Sequence, residues 1–200
     1  MIQSLLLVAA YLLGGIPFGY LLVRWRTGED VRAGGSGNIG ATNVLRTTGR
    51  AMGIATLLLD VAKGFLAVWA MSRFSEGDPV WMSLAALAVM AGHAFPVFLK
   101  FQGGKAVASF IGAFLYLTPW PLVTVLLVFA AVVWVTRHIS LGSIAACGLF
   151  PFGVWLIEHP HWMVTLSAAI AGWFVIYRHK SNVTRLRAGT ESVFTFSKSR

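Results

Sequence analysis

The stretch GHAFPVFLKFQGGKAVA occupies residues 92–108, in the middle of the chain, and joins one long apolar run to the next. Its glycine pair, Gly103 and Gly104, is followed directly by Lys105 and then by small and apolar residues that can begin a helix. Paired glycines let backbone N–H groups approach a ligand closely, and a helix N-terminus favours an anion. The stretch therefore predicts a phosphate-binding turn beside a membrane helix, although a plain turn with a surface lysine uses the same residues.

The apolar runs on either side belong to a chain that is 57% hydrophobic and only 12% charged. Soluble domains carry a larger charged share, roughly a quarter of their residues. The apolar residues come in long blocks, without the alternation of an outer-membrane barrel. Composition therefore predicts an all-α, polytopic integral membrane protein. In a membrane protein, the net charge of +9 is expected to set the topology and to attract anionic lipid or a phosphorylated substrate, rather than nucleic acid.

We predict a single domain over residues 1–200 with seven transmembrane helices, because about 20 apolar residues cross a bilayer. The approximate spans are 3–23, 53–72, 80–99, 106–117, 121–136, 144–157 and 162–177. The fourth is short, which predicts a tilted or partly re-entrant element.

The charged residues predict the orientation of these spans. The loops on one side are 24–52, 100–105, 137–143 and 178–200, and they contain every lysine and arginine except Lys63 and Arg73. By the positive-inside rule, these loops and the C-terminus lie in the cytoplasm and the N-terminus lies outside.

Two predicted spans contain residues that are unusual inside a membrane helix. Asp60 and Lys63 lie three positions apart, on one face of the second span. A charge at mid-membrane costs ~3 kcal/mol, so both need a partner. The pair either supports a functional site or holds the helices together, and the sequence favours neither reading. In the first span, Gly14, Gly15 and Pro17 predict close packing and a kink.

Three of the cytoplasmic loops combine Gly, Ser, Thr or Asn with Arg or Lys, a pattern that suits anion binding. The first runs from Ser36 to Arg46, the second is Gly103–Lys105, and the third begins at Arg178 and ends at Arg187. A flexible linker explains the glycines, and a basic tail held on anionic lipid explains the arginines. Neither explains the asparagines or the Gly-Thr-Glu sequence that follows the third loop at 189–191.

The scarcity of acidic residues in these loops excludes several kinds of site. A metal–phosphate site of the nucleotide type needs clustered carboxylates, and a Ser–His–Asp triad needs a suitable aspartate. His93 is followed five positions later by Phe98, whereas soluble-type acyltransferases have an aspartate there. We therefore predict no metal and no cofactor. The remaining chemistry is phosphoryl or acyl transfer to a lipid, or anion transport.

Three motifs carry a resemblance that spans nearly the whole chain. They are SGNIGATN at 36–43, HAFPVF with FQGGK at 93–98 and 101–105, and RHKSN at 178–182. In this order they resemble the signature motifs of the bacterial membrane acyl-phosphate:glycerol-3-phosphate acyltransferases, the PlsY family.

This resemblance implies an enzyme of the bacterial inner membrane whose active site faces the cytoplasm. It would move a fatty acyl group from acyl phosphate to the 1-hydroxyl of sn-glycerol 3-phosphate. The products would be lysophosphatidic acid and inorganic phosphate, in the first step of phospholipid biosynthesis. Its partners would be these two substrates, membrane lipid and an upstream enzyme that forms acyl phosphate.

The resemblance also implies roles for the polar residues of the motifs. The catalytic residues would be Ser36, Arg46, Lys105, His179 and Asn182. The residues that bind substrate or phosphate would be Gly37, Asn38, Gly40, Thr42, Asn43, His93, Gly103, Gly104 and Ser143. Acyl phosphate has a good leaving group, so catalysis needs little beyond positioning and charge stabilisation. The leaving phosphate would itself take the hydroxyl proton, without a protein base. In the competing version, His179 is the base.

A transporter of small phosphorylated solutes is the alternative function. Asp60 and Lys63 favour it, but secondary transporters have internal repeats and midplane sites, whereas these motifs lie at one surface and no repeat is visible. A scaffold without chemistry leaves the three loops unexplained. Residues 192–200 match none of the motifs and are predicted to be a variable tail.

Overall fold

The computed structural model describes residues 1–194, and within this range the regular secondary structure is helical, with no β-strand. This confirms the all-α prediction. Part of the predicted variable tail, residues 195–200, lies outside the described residues. The α-helices are α1 (Ile2–Gly15), α2 (Phe18–Thr27), α3 (Ala41–Thr48), α4 (Arg50–Phe74), α5 (Pro79–Ala94), α6 (Val107–Leu117), α7 (Pro119–Thr136), α8 (Ile139–Ile157), α9 (Trp162–Arg178) and α10 (Lys180–Arg187), with 3₁₀ turns at Val31–Ala33 and Val97–Leu99.

The helices form two compact units, Met1–Leu117 and Thr118–Arg200. The first unit contains α1 to α6, and the second contains α7 to α10. In the first, α4 packs against α6 and α1 against α5; in the second, α8 packs against both α7 and α9. The single domain over 1–200 stays a prediction.

Within the described residues, five segments are long and apolar enough to cross a membrane. They are Ile2–Thr27, Arg50–Phe74, Pro79–Leu99, Pro119–Thr136 and Ile139–Ile157. The apolar helices α6 and α9 are shorter, with 11 and 17 residues. The helix predicted as the fourth span is as short as the sequence predicts, because 11 residues extend only ~17 Å of the ~30 Å hydrocarbon core. Seven crossings stay a prediction.

The first apolar run is interrupted between α1 and α2, at Ile16 and Pro17. Proline lacks a backbone N–H and its ring clashes with the preceding turn, so a helix breaks or bends there. The predicted kink is therefore confirmed.

Small residues bring the helices of the first unit close together. A Cβ atom on Gly64 of α4 would overlap the carbonyl of Ser109, and one on Gly112 of α6 would overlap the carbonyl of Val61. Gly14 of α1 meets the backbone of α5 in the same way, which confirms the close packing predicted for the first span. Backbone contact through small residues is typical of membrane helices.

Some predicted boundaries are wrong. The predicted sixth span, 144–157, begins too late, since α8 already starts at Ile139. The predicted loop 137–143 therefore contains the first turn of α8, where Ser143 Oγ donates to the Ile139 carbonyl at 3.0 Å. The predicted loops 24–52 and 178–200 contain the helices α3 and α10. Both helices have eight residues and few apolar positions, so their sequences resemble loops.

Candidate active site

The first motif loop is shaped by Asn43, which is 2% exposed at the start of α3. Its Nδ2 atom donates to the carbonyls of Asn38 at 2.8 Å, Val31 at 3.1 Å and Gly34 at 3.2 Å. Its Oδ1 atom accepts from the backbone N–H of Ser36 at 2.8 Å. All of these bonds lie within the loop, so Asn43 acts here on the shape of the loop. Its predicted contact with substrate stays a prediction.

The rest of this loop presents its polar residues outward. Ser36, Gly37 and Arg46 are exposed, and Asn38, Gly40 and Thr42 are half-buried. Gly37 has a φ of 69°, in the left-handed region that glycine adopts at no steric cost. The Oδ1 atom of Asn38 accepts from the N–H of Gly40 at 2.8 Å, directly before α3 begins. The predicted group of the first motif is thus brought together around one helix start.

The second motif is held against the end of α5. The Gly103 N–H donates to the Ala94 carbonyl at 3.2 Å, and the Gly104 N–H donates to the His93 carbonyl at 3.0 Å. A Cβ atom on Gly104 would overlap the His93 imidazole. In this conformation both N–H groups are therefore bonded to the end of α5. The glycines permit the loop to approach α5 closely, and their phosphate-binding role stays a prediction.

Lys105 follows this contact and is half-buried. It stands two residues before α6, which begins at Val107, one residue after the predicted start of the fourth span at 106. The left-handed backbone in this segment is at Lys100, Phe101 and Ala106 rather than at the glycines. The result is a lysine fixed beside a helix N-terminus, where the helix dipole also favours an anion.

A buried charged cluster lies behind this loop. The Nζ atom of Lys63 is 2.7 Å from Oδ1 of Asp60, and their side chains are 1% and 3% exposed. The Nδ1 atom of His93 is 3.6 Å from the same carboxylate oxygen. Asp60 and Lys63 are therefore the partners that the sequence predicts for each other, and His93 lies against the same carboxylate. His93 is only 5% exposed, and its predicted role in substrate binding stays a prediction.

The third motif lies in the second unit, where His179 joins α9 to α10. Its ring is buried, and Nδ1 is 2.7 Å from the Val175 carbonyl. A carbonyl oxygen only accepts, so the proton of this bond is on Nδ1. Any proton that this ring takes from a substrate must therefore go to Nε2.

Glu191 organises the end of the described chain and was missed by sequence reasoning. Its Oε1 atom accepts from Asn182 Nδ2 at 2.6 Å and from Ser140 Oγ at 2.8 Å, and Oε2 accepts from Arg185 Nε at 2.7 Å. Burial alone raises the pKa of this carboxyl, but the hydrogen bonds from Asn182, Ser140 and Arg185 outweigh it, and the pKa lies below its ordinary value. The unexplained Gly-Thr-Glu end was the signal available in the sequence.

The other predicted site residues of the second unit share this neighbourhood. Asn182 is 4% exposed and Ser143 is 4% exposed. Ser143 lies in the first turn of α8, together with Ser140, which binds Glu191. Among residues 1–194, no group of three or more His, Cys, Asp or Glu side chains is arranged to hold a metal ion.

Known proteins resemble this chain over almost its full length. A family model described as glycerol-3-phosphate acyltransferase matches residues 4–189. The chain belongs to the glycerol-3-phosphate acyltransferase family. The glycerol-3-phosphate acyltransferase of Geobacter sulfurreducens is 46% identical over 195 residues, which is 97% of this chain and 99% of the relative. That of Geotalea daltonii is 44% identical over 192 residues, which is 96% and 97%.

Two solved structures show the fold of this acyltransferase family. Both are crystal structures of PlsY (YgiH), an integral membrane glycerol 3-phosphate acyltransferase. The glycerol 3-phosphate form has a TM-score of 0.92 at 35% identity, and it covers 98% of this chain and 96% of that chain. The lysophosphatidic acid form has a TM-score of 0.88 at 34% identity, with the same coverage. The resemblance to the PlsY family is confirmed, and this family member is a membrane protein.

Proposed function

We propose that this protein moves a fatty acyl group from acyl phosphate to the 1-hydroxyl of sn-glycerol 3-phosphate. The products are lysophosphatidic acid and inorganic phosphate, and the reaction begins phospholipid biosynthesis. The observation that carries the proposal is the likeness to PlsY over 98% of this chain, in forms named for glycerol 3-phosphate and for lysophosphatidic acid. These two molecules are the acceptor and the product of the proposed reaction.

The polar groups of the first unit suit a phosphorylated acceptor. Lys105 supplies a full positive charge beside the N-terminus of α6, and a phosphate there meets both the charge and the helix dipole. Exposed Ser36 and Arg46 add a hydroxyl and a guanidinium on the loop that Asn43 shapes. Arg46 matches the paired oxygens of a phosphate. We assign these three residues to substrate phosphate and transition-state binding.

The reaction needs little from a protein beyond position and charge. The 1-hydroxyl oxygen attacks the acyl carbon, the bond from that carbon to the phosphate oxygen breaks, and the hydroxyl proton passes to the departing phosphate. Acyl phosphate is a mixed anhydride, so the leaving group is good and positioned cations stabilise the developing charge. The protein then requires no base of its own. In the competing version, Nε2 of His179 takes the proton, which the protonated Nδ1 permits.

Charged and aromatic residues support a proposal for the placement in the membrane. We propose seven crossings in the inner membrane, the N-terminus outside, and the C-terminus and motif loops in the cytoplasm. In the second unit, Arg137 lies over Trp134 at 5.6 Å, and Lys180 lies over Tyr177 at 5.4 Å. Both pairs lie at the ends of α7 and α9. Basic and aromatic residues together are typical of the cytoplasmic interface.

The donor is tested with purified protein in lipid, given radiolabelled glycerol 3-phosphate and one donor at a time. We expect lysophosphatidic acid with palmitoyl phosphate and none with palmitoyl-CoA or with palmitoyl-acyl carrier protein. Equal product from palmitoyl-CoA would overturn the assignment of the donor but leave the acceptor in place. Use of this donor requires an upstream enzyme that makes acyl phosphate.

A further inference from the structure

Asp60 and Lys63, which form a buried cluster with His93, have no role in the reaction as described so far. Asp60 and Lys63 lie one turn apart on α4, and His93 lies in the last turn of α5. Their side chains are 3%, 1% and 5% exposed. Charged groups inside a membrane protein are rare. They face the protein interior and commonly mark functional positions.

One arm of the cluster reaches the break between α1 and α2. Lys63 Nζ donates to the carbonyl of Ile16 at 2.9 Å and lies 5.6 Å from the centre of the Phe18 ring. The carbonyls at the end of a helix need partners from outside it. Lys63 thus fixes the start of α2, the helix that leads into the first motif loop.

The other arm reaches the second motif loop. Nδ1 of His93 faces Asp60 at 3.6 Å, and Nε2 is the ring atom nearest to the position of a Cβ on Gly104. A carboxylate facing Nδ1 favours a proton on that nitrogen and so sets the orientation of the ring. The loop backbone is bonded to the carbonyls of His93 and Ala94 as well. Because no space remains between the imidazole and Gly104, moving the ring moves the residue before Lys105.

We propose that Asp60 is a positioning residue for glycerol 3-phosphate, acting through His93 on the Gly103–Gly104 backbone and so on Lys105. Lys63 balances the charge of Asp60. In the same network it holds the start of α2, the helix that leads into the first motif loop. The inference rests on the proposed role of Lys105 in binding phosphate. It adds to that role the device that holds the lysine in place.

A bundle-stabilising ion pair is the competing role, and paired substitution separates the two. Removing one member of a buried pair leaves an uncompensated charge, whereas replacing both by neutral groups of similar volume is often close to neutral for stability. The variant D60N/K63M removes both charges together. A purely structural pair predicts normal kinetics once the protein folds.

The experiment measures Tm, and KM and kcat for glycerol 3-phosphate, for wild type, D60N/K63M and a control. The control is Ser83→Ala, which also replaces a fully buried polar residue of α5, ten positions before His93. We expect D60N/K63M to melt near wild type and to lose about ten- to a hundredfold in kcat/KM, since small displacements at a site cost this much. The loss falls mainly on KM for glycerol 3-phosphate, and Ser83→Ala retains wild-type values. Wild-type KM and kcat in D60N/K63M would overturn the proposal.

A second measurement covers the case in which D60N/K63M does not fold. Wild-type protein labelled with ¹⁵N-histidine gives side-chain signals for its five histidines, assigned by replacing the other four singly. The His93 signal should move when glycerol 3-phosphate is added, and an unmoved signal at saturation would overturn the proposal. Lys105→Ala distinguishes failure of the phosphate-binding role of Lys105 from failure of the positioning role of Asp60. If that variant leaves KM unchanged, the phosphate role of Lys105 fails first; if it raises KM while D60N/K63M does not, only the positioning role fails.

Discussion

The backbone N–H of Ser36 donates to Oδ1 of Asn43 at 2.8 Å, across the glycine-rich turn that separates them in sequence. The Nδ2 atom of the same side chain binds three carbonyls of the loop. One buried amide therefore determines how Ser36 is presented. The first motif depends on an internal support as much as on its outward-facing groups.

Replacing Asn43 by alanine should disorder this loop. The change leaves the Ser36 N–H and several carbonyls without their partner, and each such loss costs ~1–3 kcal/mol. We expect kcat/KM to fall about ten- to a hundredfold and hydrogen exchange to rise over 31–43. Thr47→Ala is the matched control, because Thr47 is a polar residue of the same helix whose hydroxyl donates to the backbone carbonyl of Asn43, and it should have a smaller effect. Equal losses in the two variants would contradict the central role of Asn43.

Replacing Lys105 by alanine should weaken transition-state binding. A charged contact to phosphate in a water-excluded site is worth ~2–4 kcal/mol, so kcat/KM should fall about 30- to 10³-fold. Lys100→Ala removes an exposed lysine five residues earlier and should stay within about twofold. Steady-state kinetics of both variants make the comparison. Unchanged catalytic efficiency in Lys105→Ala would remove the lysine from the phosphate site.

Substituting His179 by glutamine distinguishes the two versions of proton transfer. A general base contributes about 10²- to 10⁴-fold, whereas substrate-assisted transfer needs none. We expect turnover in His179→Gln to fall less than about tenfold and to keep the wild-type dependence on pH. His161→Asn serves as the control, because asparagine retains a cap at the start of α9. A loss above about 10²-fold, with a changed pH profile, would make His179 the base.

Glu191 should make stability depend on pH in the acid range. Its hydrogen bonds hold the pKa of its carboxyl below the ordinary value of 4.5, so the folded state binds fewer protons than the unfolded state. The resulting stability is present above pH 4.5 and is lost as the pH falls through the lower pKa of the folded state.

Thermal unfolding of Glu191→Gln in detergent, between about pH 3 and 7, tests this contribution. At neutral pH we expect a lower Tm, because the variant loses the ~1–3 kcal/mol of stability that hydrogen bonds to a charged group contribute. We also expect a flatter acid limb. Glu29→Gln removes an exposed carboxylate and should leave the curve unchanged. An acid limb as steep in Glu191→Gln as in wild type would contradict the linkage.

Much of the fold is predictable from the sequence because the membrane imposes the length and apolarity of its helices. The interruption at Pro17 and the short α6 follow from proline chemistry and from the number of apolar residues between Lys105 and Thr118. The start of α8 does not, because Ser140 and Ser143 are typical of turns. Their hydroxyls are satisfied by Glu191 and by the helix itself, and the first of these contacts is visible only in the folded chain.

The motifs of the candidate site are predictable from the sequence. Which residues within each motif support the loop, rather than face a ligand, is not. Asn43 reads as a ligand-binding donor, yet its amide bonds are made within the loop. Gly103 and Gly104 suggest N–H donors, yet both N–H groups bind α5. Glu191 lies nine residues after Asn182, and their contact depends on the turn that ends α10. In each case, the sequence contains the residue but the partner is set by tertiary structure.

The most direct test is the release of phosphate from palmitoyl phosphate by purified protein in lipid, with and without glycerol 3-phosphate. We predict that release requires both substrates and that one lysophosphatidic acid forms for each phosphate released. Phosphate release that is independent of glycerol 3-phosphate would contradict the account. So would the absence of release together with glycerol 3-phosphate accumulating inside proteoliposomes, since the motif loops would then belong to a transporter.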